Sequence, residues 1–226
     1  MGRLEQSLKG EDVAGRGDKR ARGPYVARMP RAAPYDREQA LDAALALFWR
    51  KGFHATSLKD LEAELAMKPG SIYAAFHSKE ALFRSVLDRY AERMRVELAG
   101  IAGQASPLGA LSGYLRALGG LLEAGGPSRA CMLVKTLLET NADHPEVMAA
   151  ARRHLDAVEG DIAEIFAAAK RAGEIAPDAD PARLARRVQS NIFGLKVQAQ
   201  RETSGAALRM LAEDIAAEVE ALRLRH

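Results

Sequence analysis

"TSLKDLEAELAMKPGSIYAAFHSKEALF" occupies residues 56–83, and its punctuation decides how the chain around it folds. Thr56 or Ser57 opens a helix. Ser57 and Asp60 have the spacing of a capping box, in which two side chains satisfy free backbone N–H groups at a helix start. Leu58, Leu61 and Leu65 follow at helical spacing and form a buried stripe. "AMK" makes a short turn. Pro69 then begins a second helix, where its missing N–H costs nothing. That helix is short, and only Ile72, Ala75 and Phe76 give it an apolar face. Ser78 caps a longer helix predicted over about 79–100. A helix with so little core of its own is built to present its other side.

Upstream, Leu41, Ala44, Leu45 and Phe48 mark one face of a further helix. Gly52 ends it, and Phe53 folds back onto the apolar face. Eight of the twelve aromatic residues fall between Tyr35 and Tyr90, as expected of a small unit that needs large side chains to fill its core. Downstream the chain is rich in Ala and Leu. Breaks at 103–107, 124–129, 141–145, 172–181 and 202–205 predict helices near 107–124, 129–141, 144–172, 181–201 and 205–223. No strand-like alternation, hairpin turn or internal repeat stands out. The fold class expected is all-α, with an N-terminal helix-turn-helix unit and a C-terminal helical part. The expected division is 1–34, 35–79 and 80–226.

Composition sets limits on function. Of 226 residues, 48% are hydrophobic and 28% charged, a globular balance. No apolar run approaches the roughly 18 residues of a membrane span, and the basic N-terminus lacks the apolar core of a secretory signal. The single cysteine, Cys131, excludes an intrachain disulfide and suits a reducing cytoplasm. There is no zinc-ligand spacing and no phosphate-binding glycine loop, so neither a metal nor a cofactor is expected. The net charge of +3 has a local origin. Residues 1–34 hold eight basic and four acidic residues, which gives +4 and leaves −1 for the remainder. This segment reads as a disordered basic arm, adding nonspecific phosphate attraction if it is functional, or else as an over-extended start.

Two short helices joined by a tight turn follow the helix-turn-helix plan, in which the second helix lies in the DNA major groove. Beside the anchor residues, that helix offers Gly70, Ser71, Tyr73 and Ala74, small except for Tyr73. Pro69 and Gly70 at its start let the backbone approach base edges. Lys68 in the turn, Lys59 one turn into the preceding helix, and the hydroxyls of Thr56 and Ser57 are placed for phosphates or bases. Lys79, at a helix N-terminus that already favours an anion, is expected to contact phosphate. The implied partner is double-stranded DNA.

These residues resemble the DNA-binding domain of the TetR family of bacterial transcriptional regulators. The resemblance is carried by "ALDAALALFWRKGFHATSLKDLEAEL" and "KPGSIYAAFHSKEALFRSVLDRY". Gly-Phe after the first helix, Thr-Ser before the second, Gly-Ser-Ile-Tyr-x-x-Phe and Ser-Lys-Glu-Ala-Leu all occur at the family's spacing. Two positions depart from the pattern. Ala66 stands where the family commonly has a turn glycine, and Lys68 where it often has a capping serine. The resemblance implies a homodimer whose C-terminal helices bind a small-molecule effector, without an enzymatic activity.

Periodicity supports a dimer independently. Leu208, Leu211, Ile215, Val219 and Leu222 recur along the last helix, and Leu184, Val188, Ile192 and Leu195 along the one before it. Gly194 allows close helix approach. Two such helices from each chain make a four-helix seam; the same stripes also fit an intrachain core. Candidates for an effector pocket are Cys131, Met132, Thr136, His154, Asn191 and Phe193, each also compatible with ordinary packing. The regulator expected is a repressor released from a near-palindromic operator by its effector. The alternatives are a redox or electrophile sensor acting through Cys131, with Arg129 and Lys135 nearby in sequence, and a ligand-independent activator. An enzyme using Cys131 as nucleophile and His154 as base lacks an evident acidic orienter or oxyanion element.

Overall fold

A computed structural model describes residues 36–121, 130–140, 143–201 and 204–224. The expected basic arm, Tyr35 and Arg129 lie outside them. The described chain contains nine α-helices. They are α1 (Arg37–Lys51), α2 (Leu58–Leu65), α3 (Pro69–Phe76), α4 (Lys79–Ala102), α5 (Pro107–Ala117), α6 (Met132–Glu139), α7 (Pro145–Arg171), α8 (Pro181–Arg201) and α9 (Gly205–Glu220). A 3-10 turn, Leu118–Gly120, extends α5. Among the described residues there is no strand, only an isolated bridge between Ile175 and Arg223.

Local chemistry sets the helix ends. The Asp36 carboxylate accepts the Glu38 N–H at 2.9 Å and so caps α1. Gly52 stops α1 with φ +83° and ψ 168°, a region essentially reserved for glycine. The expected capping box is present, with Ser57 N–H donating to Asp60 at 2.8 Å and Asp60 N–H to Ser57 Oγ at 3.2 Å. Pro69 is the first residue of α3.

The buried side chains form two clusters, and α4 serves both. The first holds Leu41, Phe48, Leu61, Ile72 and Phe76 from α1–α3, Leu82 to Tyr90 from α4, Cys131 to Leu133, and Val147, Ala150 and Ala151 of α7. Phe83 fills its centre, with ring centroids 4.8 Å from Phe48 and 5.0 Å from Phe53. The second cluster joins Leu98 of α4 to α5, the far half of α7, α8 and α9. Apolar packing therefore runs through residue 79 without a break, so that the reading unit and the helical body share one helix.

The stripes expected to face a second chain are largely covered within this one. Leu208, Ile215 and Val219 of α9 and Val188 and Leu195 of α8 are buried in the second cluster, and Leu184, Leu211 and Leu222 pack against it. The reason is α7, which packs along α8, and α5, which covers α9. The 3-10 extension of α5 approaches α9 so closely that a Cβ on Gly119 would lie 2.9 Å from Arg209 Cα. Gly194 is exposed, and a Cβ there would meet nothing within 4 Å, so no close approach within the chain requires it. What α8 and α9 leave uncovered is a different face, carrying Gly194, Val197 (57% exposed) and Met210 (70%). A clasp closes the far end of this half. Glu174 accepts from the Ser106 hydroxyl, from Leu108 N–H at 2.9 Å and from Arg223 at 2.8 Å.

Candidate nucleic-acid interface

The turn 66–68 swings α3 across α2, and α3 divides cleanly into two faces. Ile72 and Phe76 are buried, and the Arg37 guanidinium lies 5.4 Å from the Phe76 ring centroid, an anchor that nothing in the spacing signalled. Pro69, Gly70, Tyr73 and Ala74 point outward, with Tyr73 49% exposed, and Ser71 is partly exposed. A Cβ added to Gly70 would meet nothing within 4 Å, so the first turn of α3 is bare backbone open to an incoming surface. Lys59 and Lys68 are exposed beside it.

Two departures from the family pattern have visible consequences. Ala66 adopts φ 51°, ψ 36°, the left-handed conformation that a glycine takes at lower cost. Lys68 stands at the N-cap of α3 and makes no side-chain cap hydrogen bond.

Three expected phosphate ligands are turned inward or onto the cap. Thr56 is buried, and its hydroxyl donates to Gly52 O at 2.6 Å. The Ser57 hydroxyl donates to Asp60 at 2.8 Å. Lys79 donates to the carbonyl oxygens of Phe53 and Thr56, both at 3.0 Å, with its ammonium 4.5 Å from the Phe53 ring centroid. Partial burial lowers its pKa. The α1–α2 loop carries carbonyls that no helix satisfies, and the lysine supplies their donors. Its ammonium ties that loop to α4.

The comparisons with known proteins agree with this geometry. The family described as "Bacterial regulatory proteins, tetR family" matches residues 40–86, and "Tetracyclin repressor-like, C-terminal domain" matches 107–215. The HTH-type transcriptional repressor ComR of Escherichia coli K12 is 30% identical over 179 residues, 78% of this chain and 84% of ComR. The chain belongs to the TetR family. It is a helix-turn-helix transcriptional regulator. Another relative, the transcriptional repressor BdcR of the same organism, is 43% identical over 82 residues, 36% of this chain and 40% of its own. Among solved structures, a cysteine-substituted form of the TetR-family regulator CifR complexed with 26-bp operator DNA aligns with a TM-score of 0.74. It is 28% identical, covering 83% of this chain and 98% of that one.

In this TetR-family chain the six effector candidates do not converge. Cys131 and Phe193 line one cavity between α6 and α8, of about 170 Å³. Met132 and Thr136 are buried in the first cluster's packing, the Thr136 hydroxyl donating to Met132 O at 2.8 Å. His154 bonds Asp88 at 2.7 Å in an open, charged depression between α4 and α7. Asn191 lines a third depression with Arg183 and Arg187. Cys131 and His154 therefore do not form the nucleophile–base pair that the enzyme reading needs. The sensor reading loses an expected element too. Lys135 directs its ammonium to the carbonyl oxygens of Trp49 (3.3 Å) and Arg50 (3.4 Å), not to the thiol. The Tyr90 hydroxyl donates to the thiol sulfur at 3.8 Å. Burial pushes that phenol well above its ordinary pKa, with Cys131 beside it adding to the shift. Among the described residues, no three His, Cys, Asp or Glu side chains group as metal ligands, and no helix is long and apolar enough to cross a membrane.

Proposed function

We propose that this regulator acts as a homodimer whose two α3 helices enter successive major grooves of a near-palindromic operator, and that a small-molecule effector releases it. The observation that carries this reading is the division of α3. Its inner face is locked by Ile72 and Phe76, and its outer face is slim and open apart from Tyr73. The reading helices of a dimer lie about 34–36 Å apart, or a multiple of that, on such a site. The exposed face of α8 and α9 around Gly194, Val197 and Met210 is the candidate for the seam. Release is a population shift: the effector binds better to the conformation in which the two α3 helices are wrongly spaced.

Tyr73→Ala and Lys68→Ala test the DNA face. Each is expected to weaken binding to the DNA flanking the regulator's own gene by about 1–3 kcal/mol, measured by fluorescence anisotropy, with the dimer intact in sedimentation. If both variants bind as wild type does, α3 is not the reading helix. Met210→Glu tests the seam separately, and the expected result is a shift toward monomer.

A further inference from the structure

Helices α8 and α9 each leave one stripe bare. On α8, Arg183, Arg187, Ser190, Gly194, Val197 and Arg201 recur at alternating steps of 4 and 3, and all six are exposed. On α9, Ala207, Met210, Asp214 and Ala217 recur in the same rhythm, exposed, with exposed Glu218 beside them. This is the 3.5-residue period of a helix seam, carried by the faces that the chain's own packing does not cover. Charge is unevenly placed along it. The start of α8 is basic through Arg183 and Arg187, and its last residue is Arg201. The second half of α9 is acidic through Asp214 and Glu218. Neighbouring charges are matched within the chain, Arg186 by Glu159 at 3.0 Å and Glu213 by Arg116 at 2.7 Å. Among the described residues, the side chains of Arg183, Arg187, Asp214 and Glu218 make no ion pair.

The two helices run antiparallel and lengthwise. The start of α8 meets the end of α9 where Arg183, Leu184 and Arg187 line a depression with Leu222. The other end of α8 lies on α6, Phe193 and Val197 lining a cavity with Val134 and Leu138, and Lys135 of α6 is bonded to α1. Both helices therefore reach from the clasp at Glu174 toward the reading unit.

Two copies of such a face can meet about a two-fold axis in two ways. With the axis across the helices, α8 lies on the partner's α8. Arg183 and Arg187 then oppose the partner's Arg201, and the two reading units point in opposite directions. With the axis along the helices, α8 lies on the partner's α9. Arg183 and Arg187 then oppose the partner's Asp214 and the partner's Glu218, twice by symmetry, and both reading units point the same way. Like charges held opposite one another disfavour a wrong arrangement more than an exposed ion pair strengthens a right one. Resting on the proposed homodimer, we infer that its seam is crossed, with α8 of each copy on α9 of the other, and that this charge pattern selects it. The crossing sets the two α3 helices side by side, as a single operator requires.

The experiment uses the full chain, sedimentation at about 0.15 M salt and two charge-reversed forms. One form carries Arg183→Glu with Arg187→Glu, the other Asp214→Arg with Glu218→Arg. Each alone is expected to dimerise at least about tenfold more weakly than the wild type. An equimolar mixture is expected to recover dimerisation to within about threefold of the wild type, because in the heterodimer every contact between copies again joins opposite charges. The neutral form, Arg183→Gln with Arg187→Gln, is expected to fall between wild type and reversal, and it carries the test if circular dichroism shows a reversed form unfolded. A mixture no better than its parts overturns the inference. So does undiminished or tighter dimerisation of the arginine-reversed or neutral form, the outcome of α8 packing on the partner's α8. The wild type and Met210→Glu separate the two failures. If the wild type is a monomer, the proposed function falls. If the wild type is a dimer that Met210→Glu breaks, and the reversed forms behave as the wild type does, only this inference falls.

Discussion

The indole N–H of Trp49 donates to the carbonyl oxygen of Ala130 at 2.7 Å, across 81 residues of sequence. The bond ties the end of α1 to the residue before Cys131. Lys135 reinforces it, because its ammonium sits at the carbonyl end of α1, where a cation is favoured by the helix dipole. Glu139 completes the grip by packing against Gly52. The segment 130–139 thus holds α1 at three points. The reading unit is attached to the body through this grip as well as through α4, so a change at the α6–α8 cavity has a path to α3 that does not require α4 to bend.

Trp49→Phe keeps an aromatic ring but removes the donor and part of the indole's bulk. The partly buried bond from the indole N–H to Ala130 O is lost, which costs about 1 kcal/mol. Urea unfolding is expected to show a lower midpoint with an unchanged m-value. DNA affinity of the unliganded protein is expected to stay near wild type, because Trp49 is not on the outward face of α3.

Gly52→Ala meets two obstacles. The backbone at φ +83°, ψ 168° is one that side chains avoid, and a Cβ would collide with the Glu139 carboxylate. Glu139→Ala relieves the second obstacle but not the first. The double variant is therefore expected to remain destabilised by about 1–3 kcal/mol relative to Glu139→Ala alone, as measured in a double-mutant cycle. Full rescue would place the whole cost in the collision.

Lys79→Met distinguishes a structural bolt from a phosphate clamp. The variant loses two charge-assisted hydrogen bonds and the contact with Phe53. Since the side chain is only partly buried, about 2 kcal/mol of stability is expected to go with them. A phosphate contact would also reduce the slope of log affinity against log salt by about 1. The expected slope is unchanged, and a reduced one would restore the phosphate role.

Much of the reading head was legible because its signals are local. Ser57 with Asp60, Pro69 and the Ile72–Phe76 spacing each act over four residues or fewer, and each does in the fold what its type dictates. The far contacts were not legible. Periodicity shows that Leu208, Ile215 and Val219 lie on a covered face but cannot say what covers it, and α5 rather than a second chain does so here. A lysine at a helix start looks the same whether it reaches a phosphate or the carbonyls of Phe53 and Thr56.

Acid is expected to loosen the C-terminal clasp. Desolvation alone would raise the Glu174 pKa, but the hydrogen bonds from Ser106, Leu108 N–H and Arg223 outweigh it and hold the carboxyl below its usual value. Asp42, bound chiefly by Arg89, is lowered as well. A carboxylate whose folded pKa lies below its unfolded value of about 4 stabilises the fold above that value. The contribution is lost as pH falls through the folded pKa. Thermal melts from neutral pH downward are expected to be flat above about pH 5 and to fall below it. Glu174→Gln is expected to melt lower at neutral pH and to show a shallower acid limb; an acid limb as steep as the wild type's would remove Glu174 from the account.

The turn before α3 offers the sharpest separation of stability from DNA binding. Ala66 holds a left-handed backbone, which costs about 1 kcal/mol more for alanine than for glycine. Ala66→Gly removes that strain but gives the unfolded chain more freedom, so a gain of under about 1 kcal/mol is expected, with DNA affinity unchanged. Lys68 fills a cap position without capping. Lys68→Ser supplies an acceptor for the free N–H groups of α3 and is expected to stabilise by about 1 kcal/mol. The same change removes an exposed cation beside the reading face, so DNA affinity should fall and the salt slope should drop by about 1. A chain that keeps lysine there exchanges stability of the turn for attraction to phosphate. Unchanged DNA affinity in a stabilised Lys68→Ser protein would leave that exchange without its benefit and move the phosphate contacts elsewhere on the head.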